Sequence, residues 1–411
     1  MPHMNIPCLD FPFALALNTR ARRDAPWTPA QNDILSDAGL AEARATIVSW
    51  PGYAPTPLVS LSGLAARAGV AAIDYKDEGG RFGLGSFKAL GGAYAVARLL
   101  RGKVEAALGA PVPMADIIGG VHADIVEDIT VCCATDGNHG RSVAWGARNF
   151  GARCVIFIHA TVSDARKTAI EAYGAEVRRC VGNYDDSVRE AQESASREGW
   201  FVVSDTSYPG YMEVPRDVMQ GYELMAAEAF DALPLPPTHI FLQTGVGGMA
   251  AAVAALAVRR WGADRPAIVL CDPDQAACWA ESYRFDAPTA VTGDLDTMMA
   301  GLACGEVSAL AWAILKDHGD AAMALRDDAA VTLMRALARP EDGDPAIAAG
   351  ESAVAGLAGL LAAMGDDAAR TALGLNASSR ALVFGTEGDT DPALYRDIVG
   401  ADAATVRAGH A

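Results

Sequence analysis

Residues 129–150 read ITVCCATDGNHGRSVAWGARNF. Residues 129–134 are β-branched or small and apolar, the composition of a short buried strand. A polar, glycine-containing turn, Thr135-Asp136-Gly137-Asn138-His139-Gly140, follows at once, and residues 139–150 then take a helical pattern. The same unit recurs along the chain. Residues 154–158 precede an amphipathic stretch over 164–173, and 176–181 precede a helix over 187–198. Further on, 239–243 lead into 249–261, 267–271 follow, and 381–384 form a last inner strand. Strands alternating with helices of about 10 to 15 residues predict βαβ units, hence an α/β fold on a mostly parallel sheet. A chain of 411 residues exceeds what one hydrophobic core supports, so two domains are expected.

The composition, 51% hydrophobic and 20% charged with 41 glycines, is that of an ordinary soluble α/β enzyme. No run of roughly 18 or more apolar residues predicts a membrane span, and the first residues lack the pattern of a secretory signal. The expectation is a cytoplasmic protein. A net charge of −18 argues against general nucleic-acid or anionic-membrane binding, which needs clustered Lys and Arg. None of the eight cysteines forms a C-x-x-C pair, so they read as reduced core residues. The seven histidines show no metal-ligand spacing, and no metal site is predicted.

In parallel sheets, ligands bind at the carboxyl ends of the strands. Three glycine-rich turns fall there: residues 135–140, 244–249 and 385–389. Gly245-Val246-Gly247-Gly248-Met249 stands between a strand and an Ala-rich helix, where free N–H groups and the helix dipole suit a phosphate. A tight turn without a ligand explains the same residues. So does a dinucleotide fingerprint, because Gly245, Gly247 and Ala250 fit G-x-G-x-x-A with Asp272 about 20 residues on. Lys88 closes Arg81-Phe82-Gly83-Leu84-Gly85-Ser86-Phe87-Lys88, just before an apolar helix that begins near residue 89. The dipole at a helix start opposes its charge and favours the neutral amine that a Schiff base requires. Taken alone it is more simply a surface lysine. In the turn at 135–140, backbone N–H groups suit a carboxylate, Asn138 suits a phenolic oxygen, and Asp136 suits a base if burial raises its pKa. An Asp or Asn at a helix start is also an ordinary N-cap, and His139 alone reads as structural.

Together the pieces resemble one family. Ser86-Phe87-Lys88, Gly137-Asn138-His139-Gly140 and the 245–249 loop occur in this order in the fold type II pyridoxal-phosphate (PLP) enzymes, the tryptophan synthase β-like group. Finer matches resemble the diaminopropionate ammonia-lyases among them. They are Arg81-Phe82-Gly83-Leu84, Thr135 to Arg141, Asn183-Tyr184-Asp185-Asp186, Met219-Gln220-Gly221-Tyr222, residues 299–306 and Thr386-Glu387-Gly388-Asp389-Thr390-Asp391. The resemblance spans about residues 52–395.

It implies two domains, each a mostly parallel sheet flanked by helices, with the cofactor in the cleft between them. The larger PLP-binding domain would comprise 1–88 and 211–411, the smaller, mobile one 89–210. Lys88 would hold pyridoxal 5'-phosphate as a Schiff base and Asn138 would contact its 3-hydroxyl oxygen. Gly245, Val246, Gly247, Gly248 and Met249 would cradle its phosphate, with Thr386 near the pyridine nitrogen. Asp136, Gly137, His139 and Asp205 would line the substrate side. Asp136 stands where simple hydroxy-amino-acid dehydratases carry Ser. It would be the base for a D-substrate, and Lys88 for an L-substrate, with Asp205 assisting the leaving amine.

The implied reaction is α,β-elimination of 2,3-diaminopropionate to pyruvate and two ammonia, in a homodimer acting on a small amino acid. Two departures bear on the substrate. Gly85-Ser86 replaces an Asn-Ala pair, and Tyr208-Pro209-Gly210-Tyr211 replaces a Trp-Glu-Gly-Tyr pattern. Alternatives are a dehydratase or ammonia-lyase of the same fold acting on serine, threonine or 3-hydroxyaspartate, a nicotinamide-dependent dehydrogenase, and a catalytically dead binding homologue.

Overall fold

The computed structural model describes residues 11–135, 137–182, 184–341 and 343–409. Its strands are β1 (Phe13–Leu17), β2 (Leu58–Ser60), β3 (Ala72–Asp77), β4 (Thr130–Ala134), β5 (Arg153–Ile158), β6 (Glu176–Arg179), β7 (Phe201–Val202), β8 (His239–Gln243), β9 (Ala267–Pro273), β10 (Ala321–Leu325) and β11 (Arg380–Gly385). The chain divides into two compact units, one of Met1–Asn32, Pro55–Gly80 and Ala226–Ala411, the other of Asp33–Ala54 and Arg81–Met225.

The first unit holds a seven-stranded sheet in the order β1-β10-β9-β8-β11-β3-β2. Its five inner strands are parallel, while β1 and β2 run antiparallel at the two edges. Every residue of β8, β9 and β10 is buried, as befits strands covered on both faces. The Ala-rich helix Ala355–Gly365 is itself buried along almost its whole length and belongs to the core under β8 to β10. The second unit holds a wholly parallel sheet, β6-β5-β4-β7. Cys132, Val155, Phe157 and Cys180 form its small core with Ala191 and Ala195 of the helix Tyr184–Glu198. Among the described residues seven cysteines are unpaired thiols, six of them buried, and no helix is long and apolar enough to cross a membrane.

The division differs from the expected boundaries. Residues 33–54, 81–88 and 211–225, all assigned to the larger domain on sequence grounds, gather with the second unit. Aromatic and ionic contacts account for this. Trp50 packs on Phe82, Trp145 and Phe150 with ring centroids 5.9, 5.7 and 5.7 Å away. Phe87 packs on Tyr222 at 4.6 Å, and Arg98 reaches Glu42 at 2.7 Å. Lys88 therefore belongs to the second unit, with Asn138 and Asp205.

Candidate active site

The expected residues fall into two sets, one in each unit. In the second unit, side chains from an adjacent helix fix the segment that ends in Lys88. Arg141 donates to Leu84 O at 2.9 Å. Ser142 Oγ donates to Lys88 O at 2.7 Å and accepts the Ala93 N–H at 3.1 Å. Both residues lie on the helix Asn138–Phe150. Lys88 is the first residue of the helix Lys88–Leu108, which begins without a side-chain cap. Its ammonium thus sits at the positive end of the helix dipole, and a carboxylate compensates. Asp205 Oδ2 accepts from Lys88 Nζ at 2.5 Å, with both side chains largely buried.

Burial pushes the Asp205 carboxyl up, but the Lys88 ammonium outweighs it and holds the group well below the usual carboxylate range. His139 is buried, and that burial lowers its pKa, aided by Lys88 and opposed by Asp205. The ring is therefore neutral. Its Nε2 stands 2.7 Å from Val203 O, an atom that only accepts, so Nε2 carries the proton. Nδ1 is left with its lone pair, 3.8 Å from Asp205 Oδ2.

A residue not singled out from the sequence presents Asp205. The Tyr211 hydroxyl donates to Val202 O at 2.9 Å and accepts the Ser204 N–H at 3.0 Å. That staple clamps the chain leaving β7 directly before the acid. A phenol bonded to backbone leaves no sequence pattern beyond the departure at residues 208–211. At the other turn, Thr135 Oγ1 accepts the N–H groups of Gly137 and Gly140 at 3.0 and 3.1 Å. The Gly137 N–H is thus turned inward, while Asn138 is half-buried at the helix start. Asp136 lies outside the described residues.

In the first unit, residues 244–247 link β8 to the helix Gly248–Trp261, which opens with Gly248 and Met249. Gly247 takes φ +103, and a Cβ there would lie 2.3 Å from the Trp279 ring, so no other residue fits. Trp279 Nε1 donates to Gly245 O at 3.0 Å. From beneath, Asp272 Oδ1 accepts the N–H groups of Gly245 and Thr244 at 2.9 and 3.2 Å. Burial pushes this carboxyl up to about 7 against the pull of those bonds. Asp272 is therefore a strut under the loop, committed to backbone amides, and not the exposed acid that a ribose requires. At the end of the neighbouring strand, Thr386 Oγ1 accepts from Gln243 Nε2 at 2.6 Å. Gln243 also donates to Phe384 O at 2.6 Å.

These donor sets suit pyridoxal phosphate. The helix Gly248–Trp261 has no side-chain cap, so its first N–H groups remain for a phosphate. Thr386 is buried and receives the Gln243 amide, which leaves its own proton to donate to a ring nitrogen. Lys88 supplies a primary amine with a fifth of its side chain still accessible.

Comparison with known proteins agrees. The family of pyridoxal-phosphate dependent enzymes matches residues 49–375. A diaminopropionate ammonia-lyase of Salmonella typhimurium is 40% identical over 390 residues, which cover 92% of this chain and 96% of that protein. The crystal structure of the Escherichia coli diaminopropionate ammonia lyase in complex with D-serine superposes with a TM-score of 0.86 at 35% identity, covering 95% of this chain and 98% of that one. The same enzyme with an aminoacrylate-PLP azomethine reaction intermediate gives 0.85 at 36% identity, covering 95% and 98%. The chain belongs to the pyridoxal-phosphate dependent enzyme family, with the fold type II architecture, and groups there with the diaminopropionate ammonia-lyases.

Proposed function

We propose that the chain converts 2,3-diaminopropionate, as both D- and L-isomers, to pyruvate and two ammonia, as a cytoplasmic homodimer. The observation that carries this reading is the buried Lys88–Asp205 pair, with neutral His139 behind it. It couples an amine suited to proton transfer with a carboxylate suited to binding a second, cationic amine. Lys88 would anchor the cofactor covalently and Asn138 would face its 3-hydroxyl. Residues 245–249 would hold its phosphate, and Thr386 would donate to its ring nitrogen. A hydroxyl there leaves that nitrogen largely unprotonated, which suits elimination over transamination. Bound pyridoxal phosphate supplies an electron sink for charge developing at the substrate α-carbon.

The chain's own residues manage the protons. Lys88 Nζ, once neutral, takes the α-proton of the L-isomer. Asp136 takes that of the D-isomer from the opposite face. Asp205 binds the β-ammonium, which already carries the proton it needs to leave as neutral ammonia when the Cβ–N bond breaks. Water then converts the released enamine to pyruvate and the second ammonia. Closure of residues 89–210 would keep water out until that stage.

L- and D-2,3-diaminopropionate, supplied separately to the loaded enzyme with lactate dehydrogenase coupling, test the reading. Pyruvate from both isomers is the expected result, and Asp136→Asn should impair only the D-isomer. Equal loss on both isomers would remove the role given to Asp136. Turnover of serine, threonine or 3-hydroxyaspartate without turnover of diaminopropionate would place the chain among the dehydratases.

A further inference from the structure

Tyr222 is a buried titratable group that the mechanism above leaves unused. It belongs to Met219-Gln220-Gly221-Tyr222 on the helix Glu213–Ala232 and is 1% exposed. Its hydroxyl makes no hydrogen bond of good geometry among the described residues. A buried phenol in that state costs free energy unless a partner takes it up during function.

Two close approaches aim this ring at the start of the helix Lys88–Leu108. A methyl at Gly221 would lie 2.0 Å from Leu90 O, and one at Gly91 would lie 2.4 Å from the Tyr222 ring. Both positions therefore let the two helices meet almost backbone to backbone. The Tyr222 ring then lies against Phe87, with centroids 4.6 Å apart. Lys88 Nζ stands 5.8 Å from the Tyr222 ring centre and 5.4 Å from that of Phe87. Burial raises the phenol's pKa first, and Lys88 is the leading influence against it. The groups facing Lys88 include the Asp205 carboxylate, neutral His139 beyond it, and the Tyr222 hydroxyl.

We infer that Tyr222 is a positioning residue for Lys88, its hydroxyl donating to Nζ as the neutral amine and accepting from it as the ammonium. Asp205 accepts in both states, so it favours the cation. A phenol is a better donor than acceptor, so Tyr222 favours the neutral amine that can take a proton. The two groups hold Nζ aimed while its charge changes.

The inference rests on Lys88 being the base for the L-isomer, and the test separates the two. Tyr222→Phe removes one oxygen and keeps the ring packing, which the thermal midpoint checks. In the loaded enzyme without substrate, the pH midpoint of the visible absorbance should rise by about one unit. Turnover of the L-isomer should fall on the order of tenfold, the size of one hydrogen bond to a charged group. Its acid limb should move to higher pH, and the D-isomer should lose less. Incorporating 3-fluorotyrosine at 222, a more acidic donor, should move both midpoints to lower pH. Unchanged midpoints in both variants, with equal loss on the two isomers, would overturn the inference. Were the parent inert on both isomers, the substrate reading would fall, and the absorbance titration alone would still decide the role of Tyr222.

Discussion

Asp272→Asn tests whether the acid beneath the glycine loop works as a neutral group. The carboxyl is 2% exposed and accepts two loop amides, at 2.9 and 3.2 Å. Burial pushes its pKa up to about 7, whereas in the unfolded chain it titrates near about 4. A folded-state pKa above the unfolded one means that the native chain holds the proton more tightly. The stability this contributes is complete below about pH 4 and is lost as pH rises through about 7. About three pH units at about 1.36 kcal/mol each set the loss at roughly 4 kcal/mol. Asparagine keeps an oxygen for the Gly245 N–H and cannot ionise. Urea unfolding of the cofactor-free parent and variant, from about pH 5 to about pH 8, should show the variant gaining about 3 kcal/mol on the parent as pH rises. About two of those pH units fall in that window. Using cofactor-free protein keeps ligand release out of the unfolding equilibrium. Parallel stability curves across that range would refute the reasoning, because they would mean that Asp272 has the same charge in both states. A neutral acid here also matters for the cofactor, since a carboxylate under the loop would repel a phosphate dianion above it.

Lys88→Ala should leave a folded protein without turnover and without the visible absorbance of the loaded parent; a spectrum matching the parent's would exclude Lys88 as the anchor. Gly247→Ala places a methyl 2.3 Å from Trp279 and 2.9 Å from Ala311 at φ +103. Overpacking and backbone strain together cost about 2 to 4 kcal/mol. Cofactor affinity by fluorescence titration should fall at least about tenfold, because Trp279 must release Gly245 O; an unchanged affinity would show that the loop tolerates the shift.

The central βα units were legible because their alternation is clean. The strand and helix expected at 129–134 and 139–150 appear as Thr130–Ala134 and Asn138–Phe150, and the strand at 239–243 as His239–Gln243. Ala321–Leu325 was not read as a strand. Its sequence, AAMAL, has no β-branched residue and a helix former's composition, and only its place between β1 and β9 makes it extended. The edge strand β1, FALAL, likewise lacks a β-branched residue, and β2, three residues long, is too short to show a period. Lys88 and Asp205 were named from motifs, and the structure puts them in contact. Asp272 also fitted the place of a dinucleotide acid, because spacing shows where a carboxylate falls in sequence but not which donors it meets. Tyr211 acts through backbone atoms, and Tyr222 through a helix approach set by two glycines. Neither arrangement is visible in a linear pattern.

The seven-stranded sheet carries a consequence for biosynthesis. Phe13 pairs with Leu325 and Asp77 with Gly385, so β1 emerges from the ribosome long before β10, and β3 long before β11. The β6-β5-β4-β7 sheet, by contrast, is complete once residue 202 has been made. The nascent chain can therefore finish the sheet that carries Asn138 while early strands of the other still wait. Those strands must stay shielded or soluble until the last inner strand arrives, which makes the seven-stranded sheet the slow and aggregation-exposed step of maturation.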